Sequence, residues 1–162
     1  MSESENQLER LLEIMRRLRG PGGCPWDRKQ SSDSIKMYAI EEAYEVVEAI
    51  ESGSISALEE ELGDLLLQVV FHAQMQSEAG RFDFEDVARG ISEKLVRRHP
   101  HVFGHMVVSG SDEVLTNWDA IKRQERAAKG ETAEGASILE GVPRALPALQ
   151  RAQVVQKRKN RT

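Results

Sequence analysis

Two short acidic strings carry the chemistry in this 162-residue chain: Glu41-Glu42-Ala43-Tyr44-Glu45 and Glu61-Leu62-Gly63-Asp64. Each sets two carboxylates three residues apart, which on a helix puts them on one face. Like charges held this close repel, so four converging carboxylates make physical sense chiefly around a hard divalent cation that takes oxygen ligands. Magnesium carrying a phosphate-bearing substrate is the natural expectation.

A single pair of glutamates on a helix signifies little, because glutamate is a good helix former and keeps surfaces solvated. The second string sharpens the case. Asp64 falls inside the apolar run Leu62 to Val70, where a solvated charge is out of place and a buried one needs a partner or a metal. Gly63, costly inside a helix, suits close helix approach beside such a site. A di-iron centre is the obvious competitor, since helical bundles build one from Glu-x-x-His pairs. No histidine in this chain follows a glutamate at that spacing. His99, His101 and His105 straddle Pro100 and Gly104 without regular ligand spacing and read as loop residues. Cys24 stands in no histidine-containing nucleophile arrangement and reads as structural.

A polyphosphate needs more neutralisation than metal ions alone provide. Lys94 and Arg98 are one helical turn apart, as are Lys122 and Arg126, with Arg97 and Arg123 beside them. They form either a phosphate clamp or a dipole-offsetting helix end and a solvated face. Trp118 lies one turn before Lys122, so an indole could stack on a base while the ammonium meets a phosphate; a core tryptophan is the equal alternative. Trp26 poses the same choice between packing under its loop and closing a pocket.

The elements that must position these groups are helices. Leu8, Leu11, Leu12, Met15 and Leu18 recur at helical intervals from about Asn6 to Arg19, and Gly20-Pro21-Gly22-Gly23 stops them. The stretch from there to Gln30 is expected to be a packed loop. Ser32 and Asp33 open a second helix that runs to Gly53 with the first acidic string. A third starts near Ser54 to Ser56, carries the second string and ends toward Gly80. The short connection makes these two antiparallel neighbours, so the strings face one another. Phe82, Asp83 and Val87 open a fourth helix that Pro100 stops. A loop with Gly104 and Gly110 follows, and Ser111-Asp112-Glu113 begins a helix ending near Gly130. Residues 131 to 137 read as a flexible connection, followed by an apolar segment marked by Pro143 and Pro147 and the basic tail Gln156 to Thr162. No strand period and no internal repeat is visible.

Length favours one domain over residues 1–162, with 131–162 a connection and basic terminal segment. The fold class expected is all-α, a four-to-five-helix bundle. One such unit, with charged strings so near its apolar faces, leaves its core open, so homodimerisation should complete it. Hydrophobic residues at 40% and charged residues at 30% suit a helical protein with charged outer faces. A net charge of -5 argues against a protein whose main task is gripping nucleic acid. One cysteine allows no intrachain disulfide, which fits a reducing cytoplasm, and no long uncharged apolar run suggests export or membrane spanning.

The acidic strings, taken with Gly23-Cys24-Pro25-Trp26-Asp27, the run Glu60 to Ala73, Arg97-Arg98-His99-Pro100-His101-Val102-Phe103-Gly104 and Gly141-Val142-Pro143, make the chain resemble the MazG nucleotide pyrophosphohydrolases of the all-α NTP pyrophosphatase superfamily. The family signature Glu-Glu-x-x-Glu followed by Glu-x-x-Asp is matched by Glu41, Glu42, Glu45, Glu61 and Asp64. The resemblance implies magnesium-dependent hydrolysis of nucleoside triphosphates between the α and β phosphates. It maps the metal ligands onto Glu42, Glu45, Glu61 and Asp64, with Glu41 completing the catalytic set. It makes Lys94, Arg98, Trp118 and Lys122 the substrate contacts, and nucleotide-pool house-cleaning the role. It also favours a homodimer. Many members carry two tandem units, and this chain resembles the first. The competing expectation is a non-catalytic helical dimer that serves as an interaction module.

Overall fold

The computed structural model describes residues 6–128, 130, 142–144 and 146–159, and within them the chain forms nine helices and no strand. Chain contacts divide it into two compact units, Met1–Leu95 and Val96–Thr162.

The first helix, α1 (Gln7–Arg19), starts where the Asn6 side chain accepts from Leu8 N–H, and it buries Met15. Its end is fixed by a close approach. A Cβ on Gly23 would lie 2.3 Å from the carbonyl oxygens of both Arg17 and Leu18, so only glycine lets the chain fold back here. Cys24 N–H then donates to Leu18 O at 2.8 Å. The expected loop contains a short helix, α2 (Pro25–Lys29), because Pro25 occupies a first-turn position where its missing N–H costs nothing. Trp26 on it is 53% exposed rather than packed. Arg19 ties this corner down: its guanidinium donates to Asp27 O, Gln30 O and the Glu78 carboxylate, and it lies 5.4 Å from the centre of the Phe71 ring.

The expected second helix is divided into α3 (Ser32–Ile35), opened by reciprocal Ser31 and Ser34 caps, and α4 (Tyr38–Ser52). Between them Lys36 and Met37 form a turn in which Ile40 N–H reaches back only three residues, to Met37 O. Gly53 ends α4 at φ 71°, a left-handed conformation open to glycine, and the Ser54 side chain caps α5 (Ile55–Glu78). With two residues between them, α4 folds back along α5, as the spacing predicts. Asp83 and Asp86 cap one another at the start of α6 (Phe84–Arg98). The core of this unit is Met15, Ile35, Val70, Phe71 and Met75, with Leu11, Leu12, Leu67 and Phe84 against it.

That core uses only part of the apolar surface. Leu62, Leu66 and Val69 on α5 remain 50, 38 and 40% exposed, and Val47 and Ile50 on α4 and Ile91 on α6 are exposed as well.

In the second unit α7 (Pro100–Phe103) appears within the expected loop, again with proline in its first turn. α8 (Ser111–Ala128) begins where Glu113 accepts from Ser109, and α9 (Ala148–Lys159) takes the basic segment from Gln156 to Lys159 into a helix. The expected connection over 131–137 lies outside the described residues.

Candidate metal centre

On α4 the side chains of Glu42 and Glu45 share a face, and α5 brings Glu61 to meet them. Each of the three offers an oxygen within 4.8 Å of those of the other two. Among the described residues no other group of acids, histidines or cysteines comes together in this way. Glu42 and Glu61 are half-buried and Glu45 is exposed. Asp64 stands one turn beyond Glu61 and its charge bears on both Glu42 and Glu61. Glu41 is exposed and stands outside the trio.

The electrostatics follow from this crowding. Partial loss of water raises the Glu42 carboxyl above the usual range, and the hydrogen bond with Glu45 and the charges of Asp64 and Glu45 raise it further. Gln68 opposes them, donating from Nε2 to Glu42 Oε1 at 3.2 Å. Glu61 is raised by desolvation first, then by Glu45, Asp64, Glu60 and Glu48. Glu45 and Asp64 thus disfavour the charge of both Glu42 and Glu61, and a cation among the carboxylates would favour it. An all-oxygen donor set with no histidine or sulfur suits a hard divalent ion, so the residues fit the metal that the spacing implied.

Two features expected beside Asp64 take a different form. Asp64 is exposed, not buried in its apolar run, because Leu62, Leu66 and Val69 around it are themselves uncovered in the single chain. A Cβ on Gly63 would meet nothing within 4 Å, so among the described residues no other helix approaches it closely.

Of the cationic candidates, Lys94 is exposed in the first unit. In the second, Arg98 is half-buried and bidentate to Glu125, with Nη2 and Nε at 2.6 and 3.1 Å from Oε2, while Arg97 Nε reaches the other oxygen at 2.7 Å. Lys122 is half-buried on α8, and the Arg126 side chain lies outside the described ones. Trp118, 37% exposed, has its ring 6.2 Å from that of His99, which in turn lies 5.6 Å from His101. The histidines of the loop therefore make ring contacts, and His105 is exposed. Cys24 is a half-buried free thiol.

Sequence reasoning passed over Gln68, Glu48, Glu60 and Glu125. Gln68 had a visible signal: it is the polar interruption in Leu65-Leu66-Leu67-Gln68-Val69-Val70-Phe71. Glu125 had none, since its partners lie 27 and 28 residues earlier.

Comparison with known proteins supplies the remaining context. Residues 30–103, which hold both acidic strings, match the MazG nucleotide pyrophosphohydrolase domain. The chain is 54% identical over 154 residues to a nucleoside triphosphate pyrophosphohydrolase of Escherichia coli K12, covering 94% of this chain and 57% of that protein. It is 50% identical over 129 residues to the nucleoside triphosphate pyrophosphohydrolase/pyrophosphatase MazG of Thermotoga maritima, covering 80% of this chain and 49% of that one. The chain thus spans about half the length of these relatives. The crystal structure of a MazG-related protein from Thermotoga maritima superposes with a TM-score of 0.58 at 34% identity, over 70% of this chain and 97% of that one.

Proposed function

Because the chain belongs to the MazG family, we propose that it hydrolyses nucleoside triphosphates between the α and β phosphates, releasing a nucleoside monophosphate and pyrophosphate. The observation that carries this is the meeting of Glu42, Glu45 and Glu61 from two helices within 4.8 Å. Relatives bearing the name nucleoside triphosphate pyrophosphohydrolase, at 54 and 41% identity, support it.

In this reading Glu42, Glu45, Glu61 and Asp64 hold magnesium. When bound, the ion would polarise the phosphate and lower the pKa of a coordinated water. Glu41, outside the trio, is the carboxylate left to orient the attacking water or take its proton. Lys94, Arg98 and Lys122 neutralise phosphate oxygens, and Glu125 sets the plane of the Arg98 guanidinium before substrate arrives. Trp118 offers a face for the base. The free thiol of Cys24 and a nucleotide substrate suit the reducing cytoplasm, and removal of unwanted nucleotides from the pool is the cellular role. Among the described residues no helix is long and apolar enough to cross a membrane.

The uncovered stripe of Leu62, Leu66 and Val69 supports a homodimer, in which two copies bury these faces about a twofold axis. The same stripe would serve the competing reading, a non-catalytic interaction module. Incubation with a deoxynucleoside triphosphate and magnesium separates the two. Monophosphate with pyrophosphate is expected, and absence of product at high protein concentration supports the module.

A further inference from the structure

We propose that Gln68 is a positioning residue of the carboxylate centre, its amide holding Glu42 in place for a divalent cation. This rests on the reading of Glu42, Glu45 and Glu61 as a metal site. Three observations point the same way. Gln68 is the one buried polar or charged side chain among the described residues, at 7% exposure. Its Nε2 spends a donor on Glu42 Oε1 at 3.2 Å, across the α4 and α5 pair. Its own Oε1 is fully enclosed with no partner.

A side chain that only filled space would be better made of carbon, because an enclosed acceptor without a partner costs free energy that leucine or methionine would not incur. The donor toward Glu42 is what the amide has that they lack. Gln68 lies two helical turns beyond Glu61 and one beyond Asp64, so a single face of α5 presents two acids and the amide. Neighbouring charges push the Glu42 carboxylate toward water. A neutral donor resists that movement without adding a charge that would compete with the cation, as outer partners of metal ligands commonly do.

The test uses Mn²⁺ as the probe, with its affinity measured by electron paramagnetic resonance on the intact chain, beside metal-free thermal melts. Gln68→Leu and, as a second variant of unbranched shape, Gln68→Met are compared with wild type and Glu42→Gln. The expected result is a Kd for Mn²⁺ raised about tenfold or more in both Gln68 variants, with metal-free melting at or above that of wild type. Wild-type affinity in either well-folded variant would overturn the proposal. So would loss of folding in both, since the amide would then serve the core. If wild type binds Mn²⁺ and Glu42→Gln does not, while the Gln68 variants bind normally, only this proposal falls. If wild type itself binds no Mn²⁺, the metal-site reading falls with it.

Discussion

Glu125 accepts two hydrogen bonds from Arg98, at 2.6 and 3.1 Å, and a third from Arg97 at 2.7 Å, which pulls its carboxyl down to about 2. The ordinary value is 4.5. A carboxylate depressed on folding stabilises the protein above its unfolded pKa and loses that contribution as pH falls through the folded one. The stability gap between wild type and Glu125→Gln should therefore be constant above about pH 5 and close between pH 4.5 and 2. Melting temperatures of both across pH test this; a gap that persists at pH 2 contradicts it.

The acids proposed to hold the metal predict the opposite sign. Glu42 and Glu61 are raised on folding, so in metal-free protein their charge opposes the fold at neutral pH and relief comes as pH falls through the folded values. Glu42→Gln should melt roughly 2–4 °C higher than wild type without metal at pH 7. Magnesium should raise the melting temperature of wild type and leave that of Glu42→Gln unchanged. Calorimetry with and without the ion checks both; equal magnesium shifts in the two proteins would refute the ligand assignment.

Gly23 makes a purely structural prediction. A methyl group there would sit 2.3 Å from two carbonyl oxygens that cannot yield without unwinding the end of α1. Gly23→Ala should cost about 2 kcal/mol or more, lowering the melting temperature by roughly 4–8 °C. An unchanged melt would contradict this.

The exposed stripe on α5 predicts the oligomer. Light scattering should give twice the chain mass for wild type, and Leu66→Glu, which places a charge on that 38% exposed side chain, should give the single mass. A wild-type monomer at the same concentration would remove the dimer.

Helical periodicity made α1, α5, α6 and α8 legible, and the Gly53-Ser54 turn made the pairing of α4 with α5 legible too. Both signals are local. The trio of Glu42, Glu45 and Glu61 followed from that pairing and the three-residue spacing. Only the burial expected around Asp64 differs, for a physical reason: an apolar run marks a face that wants covering, and does not say that its own chain covers it. Of the two alternatives left open for Trp26, packing under its loop is not the one seen, since a large aromatic gains from burial only where neighbours exist to bury it, and here it is more than half exposed. The short helices α2 and α7 escaped because proline reads as a breaker, although at a first-turn position it favours the helix. The grip of Arg98 on Glu125 depends on how α8 returns toward the end of α6, which no spacing records.

The central claim, that carboxylates of α4 and α5 hold a cation for cleavage between the α and β phosphates, is tested most directly by phosphorus NMR. A deoxynucleoside triphosphate is incubated with magnesium and either wild type, Glu42→Gln or Asp64→Asn, each verified as helical by circular dichroism. The account predicts monophosphate and pyrophosphate resonances with wild type and an unchanged triphosphate with both variants. Pyrophosphate release by the variants at the wild-type rate, or formation of orthophosphate and a deoxynucleoside diphosphate by wild type, would contradict it.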